Sequence, residues 1–374
     1  MNVSERSEEL QRSRENKPGF LQKPGLFSRV CCAWIVSVCI FGMALIKPAR
    51  AQQAIVTISP AAFKLIRLGT TPFFAVNVAG ASPIAKIEVF INGQPISNQP
   101  VPNQPNYNAV FSWQPSGVGD FKLKAVATSQ SGAVAQSAET TLAVRDAVGS
   151  MIDVPASTFV MGAENTLPEE KPAHEVKLNA YQIDRFETTV GQFRQFVFAK
   201  QYQSSAEQAN KPGGENWRID DIPSRYDYPV RFVSWWDATK FCEWQGKRLP
   251  SEAEWERAAR GTDSRRYPWG NDFDAARVSP NQDVAMTGFF ASNASPVGAY
   301  DMAGNVWEWV NDWYDAQAYG YPNANDNPHG PDKTDQKVLR GGSFTNGPDD
   351  LRTTRRIKND PTSSHRDVGF RCGK

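Results

Sequence analysis

Histidine and cysteine are scarce in this 374-residue chain, which has three histidines and five cysteines. The histidines are His174, His329 and His365, and none has the i, i+4 or H-x-x-E-H spacing of the common zinc-enzyme motifs, which excludes those motifs. An excess of charge of one sign is also lacking, because 41 Lys and Arg residues face 40 Asp and Glu residues. Without a basic stripe or a long charge run, the sequence predicts no binding to nucleic acid.

The chain has one long apolar run, residues 30–46. A basic, polar stretch precedes it, and Ala49-Arg50-Ala51 has the A-x-A pattern of a signal-peptide cleavage site. Residues 1–51 are therefore predicted to be an export signal. An uncleaved membrane anchor stays open as the alternative, because the run is just long enough to span a bilayer. Either interpretation places the rest of the chain outside the cytoplasm: in the periplasm, at the cell surface or secreted.

Export decides how the cysteines are interpreted. Cys31, Cys32 and Cys39 lie in the signal, which leaves Cys242 and Cys372. Two thiols in an oxidising compartment are predicted to form one disulfide. This bond would close a loop of about 130 residues and contribute about 4–5 kcal/mol in the chain-entropy model. A reactive thiol is the open alternative.

Residues 54–146 show the alternation of half-buried strands, first at residues 86–91 and again at residues 121–125 and 140–144. Asn92-Gly93 is a strong hairpin signal because both residues tolerate positive φ. Short strands separated by turns predict a β-sandwich. The stretch resembles the bacterial Ig-like domains of surface and secreted proteins, which implies a spacer or adhesion module. It contains no histidine or cysteine, so no catalytic site is predicted there.

Residues 150–374 differ from the preceding domain in composition, with most of the tryptophans and all three histidines. Apolar residues at helical spacing predict helices over residues 188–198 and 235–244, and Ser251 is placed to cap a third helix. Long stretches rich in Pro, Gly and Asn lie between them. Such stretches predict irregular, function-bearing loops in this second domain.

Several blocks in this second domain resemble the formylglycine-generating (sulfatase-modifying factor) family in order and spacing. The most specific blocks are GKRLPSEAEWE at residues 246–256, DMAGNVWEW at residues 301–309, RGGSF at residues 340–344 and GFRC at residues 369–372. The resemblance implies an irregular α+β fold related to C-type lectins. The whole chain is thus predicted to be α+β, with an N-terminal all-β Ig-like sandwich.

The resemblance also implies a structural calcium site. The matching ligand positions are Asp301, Gly304 (carbonyl), Val306 (carbonyl) and Glu308. Carboxylate and carbonyl oxygens are the ligands that hard cations prefer. Cys242 and Cys372 match cysteines that are paired in some family members, in agreement with the disulfide inferred from the cysteine count.

One part of the family pattern is missing. Oxidases of the family carry two cysteines shortly after Gly-Gly-Ser, whose thiolates bind copper(I), whereas Asn346 and Leu351 stand near those positions here. Copper and formylglycine generation are therefore not predicted. Cysteine-less relatives in pyoverdine maturation keep an alternative open, an oxidoreductase of the same family with a different active site. Ser343, Trp307 and Arg356 would line its pocket.

The tail, residues 341–371, also resembles cysteine-less family members whose tail displays a ligand-binding surface, such as the variable proteins of diversity-generating retroelements. The predicted exposed set is Thr345, Asn346, Asp349, Asp350, Thr353, Thr354, Arg355 and Arg356. Arg340, Arg352 and Arg371 are predicted instead to hold the fold through carboxylate pairs. The leading prediction is an exported module that binds an unidentified protein or envelope ligand, or has an accessory role at the cell envelope.

Overall fold

The computed structural model describes residues 54–59, 65–68, 70–80, 82–100, 103–210, 215–279 and 283–374. The predicted export signal, residues 1–51, lies outside them. No helix in the described ranges is long and apolar enough to cross a membrane. The described residues all belong to one compact unit.

Two β-sheets form the N-terminal part of this unit. Their strands are β1 (Ile55–Ser59), β2 (Leu65–Arg67), β3 (Phe73–Ala79), β4 (Ile84–Ile91), β5 (Gln94–Pro100), β6 (Asn106–Ser112), β7 (Gly119–Ser129), β8 (Val134–Gln136) and β9 (Thr140–Arg145). One sheet has the order β1-β3-β6, and the other has the order β2-β9-β7-β4-β5 with β8 paired to β7. Strands β2 and β9 are parallel, and the other neighbours are antiparallel.

The alternation that predicts these strands also places their core. On β4, Ile87 and Val89 are fully buried, whereas Lys86 is exposed. Asn92 and Gly93 have φ angles of 49° and 76° and form the turn between β4 and β5, which confirms the predicted hairpin. The two sheets enclose one apolar core. The all-β arrangement is therefore present, and its Ig-like identity stays a prediction.

The C-terminal part is a mixed α+β structure. Its elements are β10 (Met151–Val154), β11 (Ser157–Met161), β12 (His174–Leu178), β13 (Tyr181–Asp184), α1 (Val190–Lys200), α2 (Ser205–Gln208), α3 (Trp235–Trp244), α4 (Glu252–Arg260), β14 (Trp307–Trp313), β15 (Lys337–Arg340), β16 (Arg356–Asn359) and β17 (Val368–Phe370). Short 3-10 turns are Pro168–Glu170, Trp217–Asp220, Pro223–Arg225, Ala275–Arg277, Ala291–Asn293 and Ala318–Gly320. The central sheet has the order β16-β15-β14-β17. The other four strands form two antiparallel pairs, β10-β13 and β11-β12.

Polar caps determine where the three longer helices begin. Ser251 accepts a hydrogen bond from the Glu254 backbone, and the Glu254 side chain accepts one in return, which completes the capping box of α4 and confirms the predicted cap. Thr189 and Ser234 cap α1 and α3 in the same way. Helix α1 ends two residues later than predicted, because Gln201 is the first residue to adopt a left-handed conformation.

Strand β14 lies between two apolar clusters. Trp307 and Trp309 pack with residues of α1, α3 and β17, and Val310 packs with Trp255 of α4 in the other cluster. Glu308 faces α4 as well, since the Trp255 indole donates a hydrogen bond of 2.8 Å to its carboxylate. This arrangement places a carboxylate inside the protein, where it needs a partner of opposite charge.

Two buried arginines join the N-terminal sheets to the C-terminal part. Arg67 and Arg145 lie opposite each other at the ends of the parallel strands β2 and β9. Arg67 donates to the carbonyl and the hydroxyl of Thr287 at 2.9 and 2.7 Å. Arg145 donates to the Gly288 carbonyl at 3.0 Å. The loop around residue 287 is thus held by charged donors from the preceding domain.

Candidate functional site: the tail and its cleft

The tail begins with a tight turn that only glycine can form. Gly341 and Gly342 follow β15 with φ angles of 96° and 73°. A Cβ on Gly341 would lie 3.0 Å from the Trp255 ring, and one on Gly342 would lie 2.5 Å from Leu351. Residues larger than glycine are therefore excluded at both positions by backbone conformation and by space. The turn that the two glycines form fixes the position of Ser343, the next residue.

A hydrogen-bonded network occupies the segment where the family's oxidases carry cysteines. The Ser343 hydroxyl donates to Asn346 at 2.7 Å, and its oxygen also lies 3.2 Å from the Asp367 carboxylate and 2.8 Å from the Thr345 hydroxyl. Leu351, near the second missing cysteine, is buried in a small apolar cluster. Hydrogen bonds of Ser343 and Asn346 and apolar packing of Leu351 therefore occupy the space in which the family's oxidases have a pair of thiolates.

The three predicted pocket residues do not share a pocket. Ser343 and Trp307 are buried close together, since both contact Asp367. Arg356 is fully buried elsewhere, where its guanidinium makes two hydrogen bonds to Glu252 at 2.7 and 2.8 Å. The prediction is wrong for Arg356, because a bidentate pair with Glu252 leaves this side chain in the core.

The predicted exposed set is wrong at three of its eight positions: Thr353, Thr354 and Arg356 are buried. Strand β16 pairs with β15 so that Arg356 stands opposite Arg340, which draws it into the sheet. The Thr354 hydroxyl donates to buried Glu170 at 2.6 Å. Of the remaining members, Thr345 and Asp349 are exposed, and Asn346, Asp350 and Arg355 are half-buried.

The prediction that three arginines hold the fold through carboxylates is confirmed. The pairs are Arg340 with Glu256, Arg352 with Glu170 at 2.7 Å, and Arg371 with Glu308 at 2.7 Å. Glu252 and Glu256 lie one turn apart on α4, so this helix presents adjacent carboxylates to the tail.

The carboxylates predicted to bind calcium lie in an acidic cluster. Asp301 and Glu308 are buried beside a third acid, Glu187, and Arg371 supplies a positive charge against the three. Burial, and then the charges of Asp301 and Glu308, raise the pKa of Glu187 well above its ordinary value. Burial also raises the pKa of Asp301. Burial therefore disfavours the ionised forms of these acids, which a neighbouring cation would favour.

The oxygen atoms of the cluster are already hydrogen-bonded to protein groups. Both Glu308 oxygens accept from Arg371 at 2.7 Å, and Asp301 accepts from two amide groups. In the described ranges, no three His, Cys, Asp or Glu side chains are placed to hold a metal ion. The predicted site would depend on the carbonyls of Gly304 and Val306, so the calcium set stays a prediction.

An open cleft of about 480 Å³ lies beside the tail and is named the tail cleft here. Residues from three segments line it, namely 163–167, 260–266 and 349–354. Its charged lining residues are Arg260, Arg266, Arg352, Asp349 and Asp350. Its volume is in the range of small-molecule sites, and nine of its eleven lining residues are polar or charged. The sequence predicted Asp349, Asp350 and Thr354 for a binding surface but neither of the other two segments.

Comparison with known proteins covers the part of the chain that contains the tail and its cleft. Residues 136–374 match the family described as "Sulfatase-modifying factor enzyme 1-like domain". The formylglycine-generating enzyme of Thermomonospora curvata is 34% identical over 281 residues, which covers 59% of this chain and 92% of that protein. The inactive C-alpha-formylglycine-generating enzyme 2 of Mus musculus is 33% identical over 276 residues, which covers 60% of this chain and 85% of that protein.

A solved structure has a similar fold. PvdO from Pseudomonas aeruginosa matches with a TM-score of 0.50 at 24% identity, and the match covers 61% of this chain and 99% of that chain. At this level of identity the likeness concerns the fold alone. It agrees with the mixed α+β structure described above.

Proposed function

Because the chain belongs to the family of sulfatase-modifying factor enzyme 1-like domains, we propose that it uses the family fold to bind a ligand and does not generate formylglycine. The observation that carries this proposal is the Ser343 network. In it, the Asn346 side chain accepts a hydrogen bond from the Ser343 hydroxyl at a position where a thiolate would be needed. Copper(I) prefers soft thiolate ligands. Cys242 and Cys372 are bonded to each other and do not supply them.

The binding surface in this proposal is the exposed part of the tail together with the tail cleft. Thr345 and Asp349 face solvent, and Asn346, Asp350 and Arg355 contribute polar atoms from half-buried positions. The buried arginine pairs beneath them fix the backbone, so that the surface is formed before a ligand arrives. Such preorganisation reduces the entropy lost on binding. The partner would be a small ligand or a protein at the cell envelope.

Location outside the cytoplasm is part of the proposal. It is supported by the basic stretch, the apolar run and the A-x-A site within residues 1–51. The pairing of Cys242 with Cys372 agrees with it, because disulfides persist in oxidising compartments. Whether the signal is removed or retained as an anchor changes only how the binding module is attached.

The purified protein, supplied with copper(I), oxygen and a peptide containing Cys-x-Pro-x-Arg, is expected to leave the peptide cysteine unchanged. The physical reason is that Asn346 and Leu351 stand near the positions of the two thiolate ligands, which copper(I) prefers. Mass spectrometry of the peptide is the measurement, and the Thermomonospora curvata relative treated in parallel is the positive control. Conversion of the peptide by this protein would overturn the proposal.

A second candidate function is an oxidoreductase of the same family with different active-site residues. The 34% identity to the Thermomonospora curvata enzyme favours it. The buried contacts of Ser343 and Trp307 with Asp367 would have to open for a substrate to reach them. The peptide assay tests the formylglycine-generating form of this alternative directly, and oxygen consumption without peptide conversion would point to another oxidation.

We also propose calcium as a structural ion at Asp301, Gly304, Val306 and Glu308. Addition of calcium to EDTA-treated protein is expected to raise the melting temperature, because a cation offsets the repulsion among buried Asp301, Glu187 and Glu308. At a calcium concentration of 100 times Kd the gain is about 2.7 kcal/mol. Scanning calorimetry measures the effect.

The calcium experiment has a matched pair of variants. Asp301→Asn is expected to abolish the response to calcium, whereas Asp332→Asn, at an exposed position, is expected to retain it. A melting temperature that is the same in EDTA and in calcium for the unmodified protein contradicts the assignment. Magnesium at equal ionic strength controls for nonspecific screening.

A further inference from the structure

The floor of the tail cleft is made of two arginines that are held in place by the protein. Arg260 is only 4% exposed and donates to the carbonyls of Val160 and Gly162 at 3.0 and 2.9 Å. Arg352 is only 8% exposed and pairs with buried Glu170 at 2.7 Å. These bonds fix both guanidinium groups, and Arg260 also pairs with buried Glu256 at 2.8 Å, so that its charge is balanced inside the protein.

Both floor arginines also have hydrogen-bonding capacity in reserve. The Nε atoms of Arg260 and Arg352 are buried, and neither has an acceptor among the described residues. A buried donor without an acceptor is unfavourable, and native structures seldom leave one. Because both Nε atoms are buried, a ligand or a water molecule would reach them only after a local shift of the cleft lining.

The Asp349 carboxylate lies between two guanidinium groups at the cleft. Its carboxylate bridges Arg266 at 3.0 Å and Arg352 at 3.1 Å. The Asp349 side chain is nevertheless 85% exposed. The pair with Arg266 is exposed on both sides and contributes little to stability, and Arg352 keeps its pair with Glu170 when Asp349 turns away into solvent. A carboxylate between two guanidinium groups also shows which chemistry this position accepts.

We infer that the tail cleft binds a small hydroxylated ligand, such as a sugar, through an oxyanion that displaces Asp349 from Arg266 and Arg352. Asn165, Thr166 and Ser264 line the same cleft and are suited to hydroxyl groups on the rest of the ligand. Asp350 is a further acceptor at the rim for such hydroxyls. This inference rests on the proposed binding function and specifies the class of ligand.

Titration of the full mature chain with glucuronate, glucose 6-phosphate and uncharged glucose tests the inference by calorimetry at constant ionic strength. Glucuronate or glucose 6-phosphate is expected to bind at least about tenfold more tightly than glucose, as charge-assisted hydrogen bonds predict. Preference for the first identifies a carboxylate, and preference for the second identifies a phosphate ester. Equal binding of glucose, or no binding of any acidic sugar even by the Asp349→Asn variant, overturns the inference.

Two variants separate the cleft from the rest of the surface. Asp349→Asn is expected to raise the affinity for the acidic sugar about five- to tenfold, because the competing carboxylate is gone. Arg266→Gln, at a half-exposed position, is expected to lower it by a similar factor without changing the melting temperature. Arg265→Gln is the matched control, since Arg265 pairs with Asp263 and does not line the cleft.

The outcomes distinguish failure of the oxyanion inference from failure of the proposed binding function. If neutral ligands bind as well as acidic ones and Asp349→Asn has no effect, the oxyanion inference fails while the binding function stands. If the peptide assay yields formylglycine, the proposed binding function fails whatever the cleft binds. An Arg265→Gln variant that loses affinity as Arg266→Gln does would assign the effect to general charge and would also contradict the inference.

Discussion

Replacement of Arg371 by methionine is expected to lower the free energy of unfolding by about 3–5 kcal/mol, the range for breaking one partner of a buried ion pair. Arg371 and Glu308 are both buried and joined by two hydrogen bonds of 2.7 Å. Without the guanidinium, Glu308 would remain beside Glu187 and Asp301 in an apolar surrounding. Urea unfolding followed by tryptophan fluorescence measures the change, because most of the tryptophans are in this part of the chain.

Two further variants decide the origin of that loss. Arg277→Met removes a pair with Asp274 that is open to solvent, and it is expected to change stability by less than about 1 kcal/mol. The double variant Arg371→Met with Glu308→Leu is expected to recover part of the loss, since it leaves no unpaired charge at that position. A loss for Arg371→Met no larger than that for Arg277→Met would contradict the buried-pair argument.

Removal of the disulfide is expected to have the other large effect. Cys242 in α3 and Cys372 after β17 are joined with a Cα–Cα distance of 5.7 Å and a sequence separation of 130 residues. The chain-entropy model assigns about 4–5 kcal/mol to a crosslink that closes a loop of this length. The double variant Cys242→Ala with Cys372→Ala should lose this stability, which denaturant unfolding under nonreducing conditions measures.

Reduction provides the control for the cysteine variant. The unmodified protein in excess dithiothreitol is expected to unfold at nearly the same denaturant concentration as the double alanine variant. The variant itself should not respond to dithiothreitol. A double variant as stable as the unmodified protein would show that the bond does not constrain the unfolded chain.

Local patterns in the sequence predicted strands at residues 86–91, 121–125 and 140–144 and the three longer helices, but none of the strands of the C-terminal part. The Asn92-Gly93 turn and the Ser251 cap depend on residues within a few positions of each other, and both are present. The pairing of strands β2 and β9 was not predicted, because parallel strands are joined by a long connection with no sequence signature of its own. Local sequence patterns therefore predict individual helices, strands and turns, whereas the pairing of distant strands depends on the fold of the whole chain.

The same distinction explains the errors in the tail. Thr354 and Arg356 were predicted to be exposed because the tail resembles that of family members in which it displays a ligand-binding surface. Burial was decided by Glu170 and Glu252, which lie far away in sequence and satisfy these polar groups in the core. A buried polar side chain with a satisfied partner cannot be recognised from its own neighbours in sequence.

The tail cleft could not be predicted for a related reason. Asp349 was identified from the sequence, but its partner Arg266 comes from the loop after α4. The 163–167 segment that closes the cleft comes from a third region. A site assembled from three separate segments gives no contiguous motif, and only the folded chain brings its charges together.

Arg67 and Arg145 make the contact between the N-terminal sheets and the C-terminal part specific to this pair of domains. They are the last residues of neighbouring parallel strands and reach the loop at Thr287 and Gly288 side by side. A different β-domain grafted onto this C-terminal part would need arginines at the same two register positions to satisfy those carbonyls. Compatibility between the two halves of the molecule is therefore encoded in two side chains, and recombination that separates them would yield a mismatched pair.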